Sequence, residues 1–164
     1  MSVRDRLRSL DLTLPAVPQM PAGVITTFNW VRVHGDRVLV SGHPPQNPDG
    51  SPAGPFGRVP DQVSLEQAQH SARLAALAVI ASVEHAVGDL DRVHAWLSVT
   101  GFVQAQPGYA QTTAVLNRFS EVVLDVFGAS AGAHARTAIG VAALPLNLPV
   151  VVGAELHLAP PREL

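Results

Sequence analysis

Hydrophobic and polar positions change period along the chain, and each change marks an element. Leu7, Leu10 and Leu14 stand near a helical spacing, which predicts a short N-terminal helix within Arg4 to Leu14. Pro15, Pro18 and Pro21 make Leu14 to Ala22 an extended connector, because each ring fixes φ and removes a donor. The expected organisation is an extension over 1–22 and one domain over 23–164. Phe28 to Val33 alternates, with Phe28, Trp30 and Arg32 on one face and Val31 and Val33 on the other. His34-Gly35-Asp36 reads as a hairpin turn and Arg37 to Ser41 as its return strand.

Gly42 to Pro60 is dense in Pro and Gly and reads as a long loop, a kind of segment that often carries function. Ser64 and Gln67 fit a capping box at the start of a helix. Its apolar stripe runs from Leu65 through Ala72, Val79 and Ile80 to Val87, and Gly88 ends it. Arg92 to Val103 reads as a strand, with Val93, Ala95, Leu97 and Val99 on one face and His94, Trp96, Ser98 and Thr100 on the other. Tyr109 to Phe127 is a second long helix closed by Gly128, and Ala129 to Ala133 a turn of small residues. Arg136 to Leu144 and Val150 to Leu158 are strands joined by a turn over Pro145 to Pro149, and Pro160 and Pro161 end the ordered chain.

The order β-β-α-β-α-β-β predicts an α+β fold, a mixed sheet with the two long helices on one face. The other face is expected to carry Ala138, Gly140 and Ala142 on one strand and Val151 and Gly153 on the next. Such a face needs cover, which points to a homo-oligomer.

Composition narrows the chemistry. At 164 residues the chain fits one domain, and 47% apolar against 15% charged residues again favours assembly. A net charge of −2 gives no basic surface for nucleic acid. No apolar run is long enough for a membrane span, and the first residues lack the apolar core of a secretory signal, so a cytoplasmic protein is expected. There is no Cys, and all 11 basic residues are Arg. Thiolate chemistry, a lysine Schiff base and a Walker A loop are therefore excluded. The His residues show no metal-ligand spacing, and neither metal nor cofactor is expected.

Arg136 opens a run of small and β-branched residues, where a planar cationic fork suits a small carboxylate. Ser41 and Gly42, at a strand end, can offer backbone amides to developing charge. His43, the next residue, is a candidate to orient water or move a proton, and His134 to desolvate an anion beside Arg136.

Several pieces in register resemble the Rid family of reactive intermediate deaminases, also called the YjgF family. They are Phe28-Asn29-Trp30-Val31, Gly35-Asp36, Val40-Ser41-Gly42-His43-Pro44 and Gly88-Asp89-Leu90-Asp91-Arg92-Val93. Val115-Leu116-Asn117, Val126-Phe127-Gly128, His134-Ala135-Arg136-Thr137-Ala138 and Ala143-Leu144-Pro145 complete the set. The resemblance covers about residues 10 to 158, and the leading DLTLP suggests a branch with an N-terminal extension. It implies a trimeric barrel with ligand clefts between subunits, and hydrolysis of enamines or imines to 2-keto acids and ammonia. Arg136 falls where that family binds the substrate carboxylate, Ser41 and Gly42 on the loop lining its cleft, and Asn117 on a helix Asn that supports the site. Two positions depart from the pattern. Phe28 stands where many active members have Tyr, and Val151 where deaminase-type members have a Glu that positions water. Glu155, further along the same strand, is the nearest substitute. A task on a larger substrate, or ligand binding without turnover, are the alternative functions.

Overall fold

In the computed structural model, which describes residues 1–160, one five-stranded sheet carries its helices on one side. Pro161, the second residue of the closing Pro pair, lies outside the described residues. Helix α1 spans Val3–Ser9, strand β1 Val31–His34 and β2 Arg37–His43. Helix α2 spans Leu65–Val87, β3 Val93–Gln104, α3 Thr112–Ala131, β4 Ala135–Val141 and β5 Val150–Leu158. The spatial order is β1-β2-β5-β3-β4. Only β3 and β4 pair in parallel, across the α3 crossover, and the other pairs are antiparallel. The expected α+β order is the one observed.

Local chemistry sets the ends of the elements. Ser64 and Gln67 form the reciprocal capping box, and Gly88 closes α2 at φ 79°. Gly128 interrupts α3 at φ 83°, as the sequence predicts, but one more helical turn follows it. Helix α1 is shorter than expected. Asp11 turns left-handed at φ 52°, and the Leu12 amide reaches back to the Leu7 carbonyl, which ends the helix in a Schellman arrangement. Val3 and Leu7 join the main core, and the Val3 amide donates to Asp91. The Pro-rich connector is held by backbone bonds from Ala16 to Pro48 and from Gln19 to Gly50.

The core lies between the sheet and α2 and α3. Trp96 is its largest buried side chain, edge-on to Phe119 and Phe127. That corrects the expected faces of β3. The register slips between Val93 and Ala95 and again between Trp96 and Ser98. Each slip is a bulge that shifts the inside-outside alternation by one residue. Trp96 therefore turns in and Leu97 turns out, at 43% exposure. Gly101 has no room for a side chain, since a Cβ there would run into the buried Leu116. Gly101→Ala is expected to lower stability by about 1–3 kcal/mol through overpacking, read from the urea midpoint.

The face away from the helices also differs from expectation. Ala138 packs towards the core, and Gly140 faces Ala105 and Thr112. Small side chains do not declare a face, and Arg136 fixes the parity of β4 by binding to α3. Ala142 lies past the end of β4, whereas Val151 and Gly153 do stand on the uncovered face, one in a cross-strand row with Phe102 and Ile139 and the other in a row with Thr100 and Thr137. Leu39, Leu97 and Ile139 are each about two-fifths exposed. Among the described residues no helix is long and apolar enough to cross a membrane.

Candidate functional site

Helix α3 carries its apolar stripe, Val115, Leu116, Phe119, Val122, Val123 and Val126, against the sheet. Beside that stripe run Thr113, Asn117 and Ser120, at i, i+4 and i+7, so they line up along one flank of the helix. Edge strand β4 passes this flank, and Arg136 lies across it. Its Nη1 donates to Ser120 Oγ at 2.9 Å. Its Nη2 donates to Asn117 Oδ1 at 3.0 Å and to the Thr113 carbonyl at 3.3 Å. These are neutral acceptors. Among the described residues no carboxylate pairs with Arg136, and its Nε finds no acceptor. Partial burial strips water from the guanidinium and lowers its pKa from the ordinary arginine value. It remains a cation, because arginine is not deprotonated in proteins. The result is a half-buried positive charge, fixed in place and, among the described residues, without a counter-ion.

His134 stands beside it. Its Nδ1 meets the Gly132 carbonyl at 2.7 Å, and its Nε2 meets Ser120 Oγ at 2.9 Å. The structure thus brings Arg136, Asn117 and His134 together, and adds Ser120 and Thr113. Sequence reasoning missed those two, although the polar spacing on an apolar helix was a usable signal.

Ser41, Gly42 and Val151 gather elsewhere, on the uncovered face of the sheet. Two residues of β2, Ser41 and Gly42, stand opposite one of β5, Gly153, between the pairs Val40–Ala154 and His43–Val152, which makes a bulge at Ser41-Gly42. The Ser41 hydroxyl donates to the Asn29 carbonyl at 2.7 Å. Gly42 is pressed by Val151, whose Cγ1 would lie 2.6 Å from a Cβ at that position. Phe28 precedes β1 rather than lying in it, is 52% exposed, and meets Trp30 edge-on at 5.1 Å. Glu155 shares the face of Val151 but is held by Arg37, from Nε at 2.9 Å and Nη2 at 2.6 Å.

The bulge also corrects the expectation of a loop histidine at 43. The extra residue turns His43 inward, where it ends β2 and is 0% exposed. Its Nδ1 meets the Ser41 carbonyl at 2.6 Å and its Nε2 meets Ser82 Oγ of α2 at 2.8 Å. A carbonyl only accepts, so Nδ1 carries the hydrogen and Nε2 accepts from the serine. Burial pushes its pKa down to about 4, against a smaller opposing effect of the Ser41 carbonyl. The His43 ring lies on the core side of the sheet, tied back to the Ser41 carbonyl and away from Arg136, and stays neutral at pH 7.

Within one chain the Arg136 group lies on the helix side of the sheet, and the Ser41-Gly42-Val151 group on the uncovered side. The first offers charge and the second a small apolar niche.

No family model matches the chain. Protein TCP17 of Trypanosoma cruzi is 34% identical over 156 residues, 95% of this chain and 94% of that one. Protein Atu1372 of Agrobacterium tumefaciens, of unknown function, superposes with a TM-score of 0.83 at 30% identity, covering 96% of this chain and 94% of its own. RidA from the Antarctic bacterium Psychrobacter sp. PAMC 21119 superposes with a TM-score of 0.58 at 22% identity, over 87% and 94% of the two chains. The chain belongs to the family of protein TCP17 and has the Rid (YjgF) fold. In this Rid-fold chain the positions singled out by the resemblance stand as two groups: Arg136 with Asn117, and Ser41 with Gly42 and Val151. Among the described residues no set of three His, Asp or Glu side chains is gathered as a metal site.

Proposed function

We propose that this protein is a homotrimer that binds a small enamine or imine carboxylate between subunits and hydrolyses it to a 2-keto acid and ammonia, without metal or cofactor and in the cytoplasm. The observation that carries this is the half-buried Arg136 guanidinium, which has three neutral partners and, among the described residues, no anion. A partly desolvated guanidinium with only neutral partners keeps its attraction for an anion, and a ligand carboxylate is a partner that matches its fork. The separation of the two groups supports a cleft completed by a neighbouring copy, which would bring its Gly42 and Val151 side to the Arg136 side of the first. The apolar row Val151, Phe102 and Ile139 supplies the area such contact needs.

In this reading Arg136 takes the carboxylate and Asn117 holds Arg136. Water adds to the C=N carbon, the C–N bond breaks, and nitrogen leaves as ammonia with the protons of imine and water. The test is ammonia release from 2-iminobutyrate by the purified protein, and a rate equal to the uncatalysed background would refute hydrolysis.

A second reading is favoured by Val151 on Gly42. A branched apolar side chain fills the place where a water-positioning Glu is expected, which suits a larger or more apolar substrate. Under the first reading Val151→Glu raises 2-iminobutyrate turnover about tenfold, short of the full benefit of a well-placed general base. Under the second it leaves that rate unchanged and weakens binding of apolar ligands. Binding of a 2-keto acid with no turnover of any imine would leave a ligand-binding trimer.

A further inference from the structure

We propose that Ser120 and His134 are positioning residues for Arg136, joined to it in a hydrogen-bond chain that runs one way and ends on the backbone. Its functional part rests on the reading that Arg136 takes a carboxylate.

The direction of every link follows from what each atom can do. The Gly132 carbonyl can only accept, so the His134 Nδ1 at 2.7 Å carries the hydrogen. In the neutral ring Nε2 then bears a lone pair, and the Ser120 hydroxyl at 2.9 Å donates to it. With its hydrogen so directed, Ser120 Oγ turns lone-pair density to Arg136 Nη1 at 2.9 Å, which can only donate. A hydroxyl that is already donating is a better acceptor, so the links reinforce one another. Reversing the imidazole tautomer would set Nε2–H against the serine and leave Nδ1 facing a carbonyl with no hydrogen between them.

The anchor is rigid. The Gly132 amide donates to the Gly128 carbonyl at 2.8 Å, closing the last turn of α3. A Cβ at Gly132 would lie 2.7 Å from the Gly128 carbonyl oxygen and 2.8 Å from that of Val123, so the chain runs as close to the helix as glycine permits. The His134 ring also rests by Trp96, with centroids 6.4 Å apart. Arginine has many rotamers to lose on binding, and a guanidinium held at Nη1 before the ligand arrives has already lost them.

The experiment uses 2-oxobutyrate as the carboxylate probe, with calorimetric titration of wild type, Ser120→Ala, Ser120→Thr, His134→Phe and Arg136→Ala. Nitrogen NMR of labelled histidine reads the His134 tautomer in the same proteins. Ser120→Ala is expected to weaken binding about tenfold, the worth of one hydrogen bond to a charged group, and to shift the His134 Nε2 resonance. Ser120→Thr restores both, because it restores the hydroxyl, and His134→Phe weakens binding in the same direction. Wild-type affinity in Ser120→Ala, or no rescue by Ser120→Thr, overturns the positioning role. A wild-type His134 carrying its hydrogen on Nε2 overturns the chain itself. If wild type does not bind 2-oxobutyrate, or Arg136→Ala binds it equally well, the carboxylate reading and the functional part of the proposal fall. The nitrogen resonances then still decide the hydrogen-bond chain.

Discussion

Arg136→Ala is expected to weaken 2-oxobutyrate binding several hundredfold and to remove imine hydrolysis with it. A charge-assisted contact at a partly desolvated site is worth about 2–5 kcal/mol when one partner is cut away, and each 1.4 kcal/mol is a factor of ten. The removed group also donates three bonds to α3, to the Thr113 carbonyl, Asn117 Oδ1 and Ser120 Oγ. All three partners are neutral and lie on the half-open flank of the helix, so water replaces the guanidinium and folding stability stays close to wild type. Arg136→Lys keeps the charge and loses the fork, so its affinity is expected between the two. Calorimetric titration gives the affinity, and an unchanged urea midpoint separates a site effect from unfolding. Equal affinity in Arg136→Ala and wild type would remove the proposed function.

Acid is expected to destabilise the fold through His43 over a defined window. Its ordinary pKa of 6.5 falls to about 4 in the folded protein because burial penalises the charged ring. Below 6.5 the unfolded chain binds a proton that the folded chain does not. Stability is therefore fully present above pH 6.5, falls as the pH drops, and levels off near pH 4 once both states are protonated. The difference amounts to about 3 kcal/mol, at 1.36 kcal/mol for each unit of displacement. The urea midpoint is expected to be flat from pH 8 to 7 and to drop between pH 6.5 and 4. A His43→Leu, Ser82→Ala double variant removes both polar groups together and is expected to flatten that drop. An equal acid slope in wild type and the double variant would show that other groups carry it.

Element order, the two long helices and their caps were legible because each rests on local chemistry: a Ser–Gln box, a Gly stop, a stretch of Pro. Arg136, Asn117 and His134 were legible as separate candidates, and the structure gathers them. What failed was strand parity. Alternation counts residues, and a bulge adds one without announcing itself in the sequence. The two slips in β3 exchanged the faces of Trp96 and Leu97, and the bulge in β2 carried His43 from a cleft candidate into the core. The faces of Ala138 and Gly140 were unreadable for another reason, since side chains that small gain little from either environment. Ser120 escaped notice although its spacing with Thr113 and Asn117 marks one polar flank on an otherwise apolar helix.

The Ser41-Gly42 bulge has a consequence for how the chain tolerates change. Substitution at Gly42 meets Val151, whose Cγ1 would lie 2.6 Å from a Cβ, and substitution at Ser41 removes its bond to the Asn29 carbonyl. A change of length reaches further. Loss of one residue would restore strict alternation, turn His43 outward and leave Ser82 without its partner. The loop that follows would arrive one step out of phase with the Val59 amide and its bond to Gln104. Relatives of this chain are expected to keep two residues between the counterparts of Val40 and His43.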